Sequence, residues 1–482
     1  MRLNTAIGMK QIIPICVICC MVCLAGCMTR TAVNKDIDTV RRDAYVHWQS
    51  TRDMGPQKDD LVIHGELSRG QAVSMALDHS RSLQAAIEER ALARGRILES
   101  YEGVLPRVSL GGEYTRQDKD HKVYGGQDQP LGQKDNTLMS LNFTQPIYHG
   151  GAASAAIRAA RYYEVMADEQ VRARRQNVIF DTLRAYEDVL LAQRRMDVAR
   201  SYEKQADAHL KEVKIQRRFG AASDFNVLRA QVDLTTAHTM LLSYLNATHT
   251  AVSSLCRTMG ISQESRLSLT DHIIYEPVCP VEEQVIQDAF LHRPDLAIAR
   301  LGERLTKESL SVAYSEYWPS LDAGCSYIYS KPDPYLPVNN EWAEAWNAKV
   351  YLSVPLFKGM GRQGRIQQKK AEVKKSHIQY LDTCENILFE VKAAFTDLKD
   401  AGQAVEAQQS SLEQATESLR LARAGYRHGT LDQISVLDAQ TALKQIRLAW
   451  YKSLYTHYIA NIRLELAKGT LTPGYKETHK AD

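Results

Sequence analysis

The sequence contains a long internal repeat, and this duplication limits the possible folds more than any other feature. Gly220, Val227, Leu228, Ala230 and Gln231 recur 209 positions later as Gly429, Val436, Leu437, Ala439 and Gln440. Tyr101, Pro106, Gly111 and Tyr114 recur 213 positions later as Tyr314, Pro319, Gly324 and Tyr327. The second copy is therefore shorter after Tyr327, as expected for a hairpin loop. A repeat this long is a duplicated subdomain, because solenoid repeats span about 20–50 residues.

Each repeat contains two segments that lack proline and almost lack glycine, and these segments predict long helices. They are residues 152–219 and 223–259 in the first repeat, and 365–428 and 430–468 in the second. At a rise of 1.5 Å per residue, the first segment would extend about 100 Å. Apolar residues recur at steps of three and four, as at Leu183, Tyr186 and Leu190. This spacing is typical of a coiled coil rather than of a globular core.

Four shorter segments alternate apolar and polar residues, which predicts strands with one apolar face. In the first repeat, Val108, Leu110 and Tyr114 share one face, and Met139, Leu141 and Phe143 share another. In the second repeat, the apolar faces extend from Leu321 to Tyr329 and from Trp346 to Val354. A length of about ten residues suits a tilted membrane strand. A soluble, half-buried sheet alternates in the same way, so the pattern leaves both open.

The N-terminus carries the pattern of a bacterial lipoprotein signal. Arg2 and Lys10 precede an apolar segment, residues 11–25, which is too short to span a bilayer and fits a secretory signal. It ends Leu24-Ala25-Gly26-Cys27, which resembles the lipobox, whose cysteine becomes the lipidated N-terminus of the mature chain. We therefore predict lipidation at Cys27; the alternative is an ordinary signal peptide.

Composition and motifs do not support catalysis or nucleic-acid binding. The chain is 44% apolar and 24% charged, with a net charge of +3, as in an ordinary folded protein. The Gly359–Gly364 segment fits GxGxxG, but a helical pattern continues where a dinucleotide fold needs a second strand. We predict no enzyme activity and no cofactor, because no nucleophile, base or metal cluster supports catalysis. We predict no metal site and no disulfide framework, because the histidines show no ligand spacing and the cysteines show no paired spacing. The histidines, expected at the surface, are His209, His238, His249 and His377.

Two strand pairs give four strands per chain, and four strands cannot close on themselves. An open sheet edge cannot lie in lipid, because its backbone groups would lack hydrogen bonds. No segment after the signal has 18 or more consecutive apolar residues, so a membrane-crossing form must be a barrel of several copies. Bacterial barrels have eight or more strands, which two copies would supply and three would exceed. The residues leave this number open.

The combination of motifs resembles the TolC-like outer-membrane efflux protein family, in particular its lipid-anchored multidrug-efflux members. The resemblance covers nearly everything from Leu67 to Leu471. The motifs that carry it are Arg293-Pro294-Asp295-Leu296, the strand entries Pro106 and Pro319, Pro355-Leu356-Phe357 followed by Gly359, Gly361 and Arg362, and Gly429 to Gln440 with its Val-Leu-Asp-Ala-Gln ending.

This resemblance implies a mainly α-helical chain with membrane β-strands and an internal two-fold repeat. A homotrimer would form a twelve-stranded β-barrel in the bacterial outer membrane, continued by a long α-helical coiled-coil barrel in the periplasm. Its implied role is the passive exit duct of a tripartite pump, with a periplasmic adaptor and an inner-membrane transporter as partners. We expect a signal peptide at 1–26, a lipid-anchored segment at 27–66, repeats at 67–277 and 278–473, and a tail at 474–482.

The resemblance also implies a gate beyond the helix turns. Asp438 occupies the acidic position of Val-Leu-Asp-Ala-Gln, where three carboxylates of a trimer would line a narrow, wet pore. Ser435 stands where some relatives carry another acidic residue. Asn226, Arg229 and Tyr426 are expected to hold neighbouring helices together. The alternative for Asp438 is a solvated carboxylate paired with a neighbour.

The two turns are the expected docking site for the adaptor; the alternative is that they serve only to reverse the chain. The turn residues are Phe219, Gly220 and Ala221 in the first repeat, and His428, Gly429 and Thr430 in the second.

Two alternatives remain for the whole protein. One is the outer-membrane duct of a type I protein secretion system, and the other is a non-conducting periplasmic coiled-coil scaffold.

Overall fold

The computed structural model describes residues 39–40, 42–46, 49, 64–117, 134–336 and 339–473. Cys27 and the predicted signal peptide and C-terminal tail lie outside these residues. Of the described residues, 65–117, 134–260, 267–336 and 339–473 belong to one compact unit, and 39–40, 42–46, 49, 64 and 261–266 belong to another. The architecture that follows is that of the first unit, apart from His64 and Arg266, which begin two short strands.

The two repeats contain the same elements in the same order. In the first repeat, α1 spans Arg69–His79, α2 Arg81–Ser100, β2 Arg107–Arg116, β3 Asp135–His149, α3 Ala152–Arg218 and α4 Asp224–Met259. In the second, α5 spans Glu282–His292, α6 Pro294–Ser315, β5 Ser320–Lys331, β6 Ala343–Ser353, α7 Gly361–Arg427 and α8 Gln433–Lys468. Two short strands, β1 (His64–Leu67) and β4 (Arg266–Leu269), form a separate two-stranded sheet.

The long helices reproduce the repeat residue for residue. Helices α3 and α7 both have 67 residues, and α4 and α8 both have 36. Each begins 209 positions after its counterpart, so a position in one repeat has a defined equivalent in the other. Gly402 and Gly425 lie inside α7 without interrupting it. In the described part of the chain, no helix combines the length and apolar content needed to cross a membrane.

Local signals explain where the helices begin. Ser68 caps α1 by accepting a hydrogen bond from the Gln71 amide, while the Gln71 side chain accepts one from the Ser68 amide. This capping box satisfies amides that have no partner within the helix. Pro294 occupies the first turn of α6, where its missing N–H causes no loss.

The short first helix of each repeat packs against the hydrophobic core between the long helices. Val73 of α1 packs with Ile179 and Leu183 of α3 and with Ile462 of α8. A buried ion pair supports this contact, since Arg69 Nε lies 2.6 Å from Oε1 of Glu187, whose side chain is fully buried. The equivalent cluster of the second repeat joins α5, α7 and α8 through Val285, Ala289, Ile387, Val391, Leu398 and Leu464.

The four long strands form one antiparallel sheet in the order β2-β3-β5-β6. Its register aligns Leu110, Leu141, Tyr327 and Trp346 in one row, and Ser109, Asn142, Ser326 and Asn347 in the next. The first row is exposed, with Leu110 81% and Trp346 70% accessible. On the polar face, the Ser326 hydroxyl donates to Asn142 Oδ1 at 2.7 Å. The predicted alternation therefore corresponds to one apolar and one polar face, because neighbouring residues of a strand point to opposite sides.

The GxGxxG segment is a joint between the sheet and the helices. Buried Arg362 donates from Nη1 to the Glu316 and Pro355 carbonyls at 3.1 and 3.0 Å, and from Nη2 to the Leu356 carbonyl at 3.1 Å. Its guanidinium also lies 4.7 Å from the centre of the Tyr317 ring. The planar fork of arginine can serve several carbonyls at once, which a lysine cannot do in the same geometry. These contacts tie the end of α6 to the segment that follows β6.

Gly260 and Gly220 provide a matched test of the packing between the end of α4 and the end of α1. Both follow a long helix with similar positive φ, 72° and 76°, so alanine is strained at each. A Cβ at Gly260 would lie 2.6 Å from the His79 carbonyl oxygen, whereas a Cβ at Gly220 would meet nothing within 4 Å. We expect Gly220→Ala to destabilise by about 1 kcal/mol and Gly260→Ala by at least about 2 kcal/mol. Thermal unfolding in detergent measures the difference, and equal losses would contradict the described packing.

Candidate functional site

The first helix turn reverses the chain with a left-handed glycine. Gly220 has a φ of +76°, and the amide of Ala221 donates to the Gln216 carbonyl at 2.8 Å. The side chain of Ser223 then caps α4 by accepting a hydrogen bond from the Asn226 amide at 3.3 Å. The turn thus satisfies the last carbonyls of α3 and the first amides of α4 within a few residues.

The second turn repeats this geometry with a charged cap. Gly429 has a φ of +70°, and the amide of Thr430 donates to the Gly425 carbonyl at 2.9 Å. Oδ1 of Asp432 accepts hydrogen bonds from the amide and the hydroxyl of Ser435, at 2.9 and 2.6 Å. These hydrogen bonds are the main reason that the pKa of Asp432 lies below its usual value. Asp432 therefore stays ionised at the N-terminus of α8, where the helix dipole favours a negative charge.

The two turns differ in the chemistry that they expose. Phe219 is 84% accessible and Phe225 is 69% accessible in the first turn. Their equivalents in the second turn are His428 and Ile434. All six predicted turn residues are exposed. The first turn is thus an aromatic tip and the second a more polar one, although their backbones are alike.

Three side-chain contacts join the two repeats close to the turns. All three connect α3 of the first repeat with α7 or α8 of the second, so they hold the two hairpins together. Tyr426, which was expected to hold neighbouring helices, lies in one of them. The contacts are Tyr426 Oη to Gln216 Oε1 at 3.0 Å, Arg423 Nη2 to Gln205 Oε1 at 3.1 Å, and Gln433 Nε2 to His209 Nε2 at 2.8 Å.

A polar cluster lies farther along the contact of α3 with α7 and α8, which we call the seam between the repeats. The Tyr202 hydroxyl donates to Asp233 Oδ1 at 2.5 Å, and Lys444 Nζ lies 4.0 Å from the Tyr202 ring centre. Burial, followed by the hydrogen bond to Asp233, raises the pKa of Tyr202 well above its ordinary value. Burial also lowers the pKa of Lys444, while Asp233 opposes that shift. Tyr202 is therefore a permanent hydrogen-bond donor that joins α3 to α4.

The predicted gate residues do not form one contact network. Asp438 is exposed on α8 and makes no hydrogen bond or ion pair within the described residues. The Ser435 hydroxyl donates a hydrogen bond to Asp432, and the backbone amide of Asn226 donates one to the Ser223 hydroxyl oxygen. Arg229 is half-buried on α4. Asp438 is thus a carboxylate that the single chain leaves unpaired.

His209 corrects one sequence-based prediction. It was expected at the surface, yet it is only 7% accessible, because it lies on the side of α3 that faces α8, where its ring contacts Gln433. Tyr202, Ala206 and Val213 are also buried on α3. Their spacing of four and seven residues places His209 on the same packed stripe, and this signal could have located it.

No metal or redox site is present among the described residues. They contain no group of three or more His, Cys, Asp or Glu residues placed to hold a metal ion. Cys256, Cys279, Cys325 and Cys384 are free thiols.

Known proteins share this arrangement over most of the chain. A family model described as "Outer membrane efflux protein" matches residues 72–261 and 285–470, which fall in the two repeats. The outer membrane protein TolC of Vibrio cholerae serotype O1 is 23% identical over 405 residues, covering 83% of this chain and 90% of TolC. The alkaline protease secretion protein AprF of Pseudomonas aeruginosa is 22% identical over 404 residues, covering 82% and 83%. The outer membrane channel CmeC of Campylobacter jejuni superposes with a TM-score of 0.74 at 15% identity, covering 86% of this chain and 89% of CmeC.

The fold and these similarities define an outer-membrane channel for efflux or secretion, and not an enzyme. The chain belongs to the outer membrane efflux protein family, whose model matches more than half of its length. Its duplicated architecture is the one that the resemblance in the sequence implied, and that prediction is confirmed.

His209 should make the stability of the seam sensitive to acid. Burial lowers its pKa below the ordinary 6.5, although Glu212 and Asp233 partly oppose this shift. The folded state therefore prefers the neutral ring, and stability that is present above pH 6.5 is lost as the pH falls below it. We expect His209→Gln to show a smaller fall in unfolding temperature between pH 7.5 and about pH 5 than the wild type does.

His238→Gln is the matched control for this experiment, because His238 is exposed and contacts Glu203 at 2.6 Å. It should retain the pH dependence that His209→Gln loses. If both variants follow the wild-type pH profile, the seam does not depend on the neutral state of His209.

Proposed function

We propose that this protein is the outer-membrane channel of a tripartite efflux pump, a passive exit duct for small molecules. An inner-membrane transporter supplies the energy, and a periplasmic adaptor connects the two. The observation that carries this proposal is the two-faced sheet, with an exposed apolar row beside a hydrogen-bonded polar row. Such a sheet suits lipid on one side and water on the other. The family description, which names efflux, supports the same role.

The working form is a homotrimer, in which three sheets close into one twelve-stranded barrel. Strands β2 and β6 are the edges of the sheet in the described chain. In lipid, the free backbone groups of each edge must pair with another strand. Pairing of β6 with β2 of the next copy closes the sheet without any unpaired edge.

The repeat supplies an independent argument for the contact between copies. In the second repeat, Leu437 and Gln440 of α8 are 9% and 7% accessible, and α8 packs on α3 of the same chain. Their equivalents on α4, Leu228 and Gln231, are exposed and line an open groove. The equivalent of α3 is α7, which carries its own open groove around Ser418 and Leu421. We therefore place α7 of a second copy of this chain against α4, in the register that α3 and α8 already use.

This register predicts a specific cross-link. His209 and Gln433 are in contact within one chain, and their equivalents are Ser418 and Asp224. We expect Asp224→Cys with Ser418→Cys, treated with a short bis-maleimide, to give covalent dimers and trimers on denaturing gels. The background carries serine at Cys279, Cys325 and Cys384, the described cysteines that are not buried. The pair Lys211→Cys with Ser418→Cys is the control and should stay monomeric; equal yields from both pairs would contradict the register.

The turns and the gate complete the proposed duct. The exposed tips at Phe219 and His428 are the contact points for the adaptor, because they are the free ends of the helix hairpins. Asp438 lines the constriction, since it is exposed on α8 while α7 and α3 flank that helix within the chain. Three carboxylates in a narrow pore attract cations and repel anions. Lipidation at Cys27 and the division into repeats at 67–277 and 278–473 belong to the same proposal.

Export of proteins is the second candidate function. It is favoured by the similarity to AprF, whose name refers to secretion of alkaline protease. Both functions use a wet duct, and the cargo depends on the inner-membrane partner. Drug sensitivity of a deletion strain, with secreted protein measured in parallel, distinguishes the two.

Single-channel recording in planar bilayers tests the duct itself. We expect the purified wild-type protein to give a small conductance and Asp438→Asn to give a lower preference for cations, because a ring of carboxylates is lost. Asp207→Asn is the control, since Asp207 is a half-buried carboxylate on α3 that contacts Lys211 at 2.7 Å. If the protein never conducts, the duct is excluded, and failure to insert into the bilayer as well would favour the non-conducting periplasmic scaffold.

A further inference from the structure

Arg229 and Asp438 occupy equivalent positions in the two repeats. Both are the sixth residue of a 36-residue helix, α4 or α8. The surrounding residues are identical, since Val227-Leu228-Arg229-Ala230-Gln231 corresponds to Val436-Leu437-Asp438-Ala439-Gln440. Within these five positions the duplication changed one residue, and that residue changed from one charge to the opposite charge.

The two residues also lie on the same face of their helices. On α8, Val436 and Ala439 pack with α7, and Leu437 and Gln440 are buried, which leaves Asp438 exposed. On α4, Val227 and Ala230 pack with α3, and Leu228 and Gln231 line the groove assigned above to a second copy. The remaining face of α4 presents Arg229. Equivalent backbones with equivalent flanking contacts point these two side chains in equivalent directions.

The electrostatics of the single chain connect Arg229 with the second repeat. Asp432 begins α8, two turns before Asp438, and it is exposed. After the hydrogen bonds from Ser435, the charge of Arg229 is a further cause that lowers the pKa of Asp432. Arg229 therefore lies within electrostatic range of the acidic end of α8, although it belongs to α4.

We propose that Arg229 is the counter-charge of the acidic gate, so that Arg229 and Asp438 alternate around the constriction of the assembled channel. This inference rests on the proposed duct and gate. Three chains with two equivalent positions each place three guanidinium groups between three carboxylates at one level. Opposite charges attract across the narrow pore, while like charges of the same residue type are kept apart. Arg229 is thus a selectivity-determining residue, and the constriction is close to neutral rather than purely acidic.

The alternating arrangement makes a different prediction from a ring of three carboxylates. Reversal potentials across a KCl gradient give the ratio of potassium to chloride permeability. Arg229→Gln should raise this ratio about fivefold, which corresponds to about 1 kcal/mol, because the carboxylates then act alone. Asp438→Asn should lower the ratio, and the double variant should return close to the wild-type value. In an acidic ring without a counter-charge, Arg229→Gln leaves the ratio unchanged.

Three further variants keep the test decisive. Arg229→Lys retains the charge and should keep the wild-type ratio. Exchange of the two charges, Arg229→Asp with Asp438→Arg, restores alternation and should also stay close to wild type. Lys211→Gln is the control, because it removes the same single positive charge from an exposed side chain of α3, where Lys211 contacts Asp207 at 2.7 Å.

The outcomes separate this inference from the proposed function. A channel whose permeability ratio is unchanged in Arg229→Gln, or rises equally in Lys211→Gln, overturns the alternating ring and leaves the duct intact. A wild-type protein that inserts without conducting overturns the duct, and the inference with it. If Arg229→Gln does not assemble, the charge-exchange variant decides. If its permeability ratio equals that of the single variant Asp438→Arg rather than that of the wild type, the proposal is overturned.

Discussion

The free edges of the four-stranded sheet are the constraint on which the rest of the arrangement depends. Strands β2 and β6 end the sheet, while its apolar face is exposed along rows such as Leu110 to Trp346. A backbone edge in lipid loses hydrogen bonds that water would otherwise provide, and each unsatisfied group costs several kcal/mol. The sheet therefore requires other copies of itself. Once copies are joined at the strands, the helices that continue from the same strands are brought together as well, and their open grooves have to match.

Much of this fold could be predicted from the sequence, because it is dictated by periodicity and by chain-reversing residues. The alternation at Leu321 to Tyr329 fixed which side chains share a face, and the register agrees. Gly220 and Gly429 located both turns, since few other residues adopt a positive φ without strain. The duplication itself indicated that each element would occur twice. These signals are local, or repeat at a constant spacing, and they do not depend on knowing which helices are neighbours.

What could not be predicted depends on contacts between distant segments. His209 is a polar residue of a type that is often found at the surface, and its burial follows only from the packing of α8 on α3. Arg362 belongs to a glycine-rich motif, and its role as a joint follows from carbonyls of Glu316 and Pro355 that converge on it in space. Tyr426 was expected to hold helices together, but its partner Gln216 lies in the other repeat, 210 positions away. Pairing across repeats is invisible to periodicity, because both partners satisfy the helical pattern without each other.

A duplicated chain in a trimer has six equivalent sites of two kinds, and this geometry gives the differences between repeats their meaning. Positions needed for the backbone, such as Gly220 and Gly429, remain identical, because both hairpins must reverse in the same way. Positions at the tips and on the free face diverge, as Phe219 and His428 show. A single substitution in one repeat changes every second site around the ring, so it can introduce alternation that a simple homohexamer could never have. In the proposed gate, opposite charges at Arg229 and Asp438 use this freedom at the narrow end, where a ring of six like charges would repel itself most strongly.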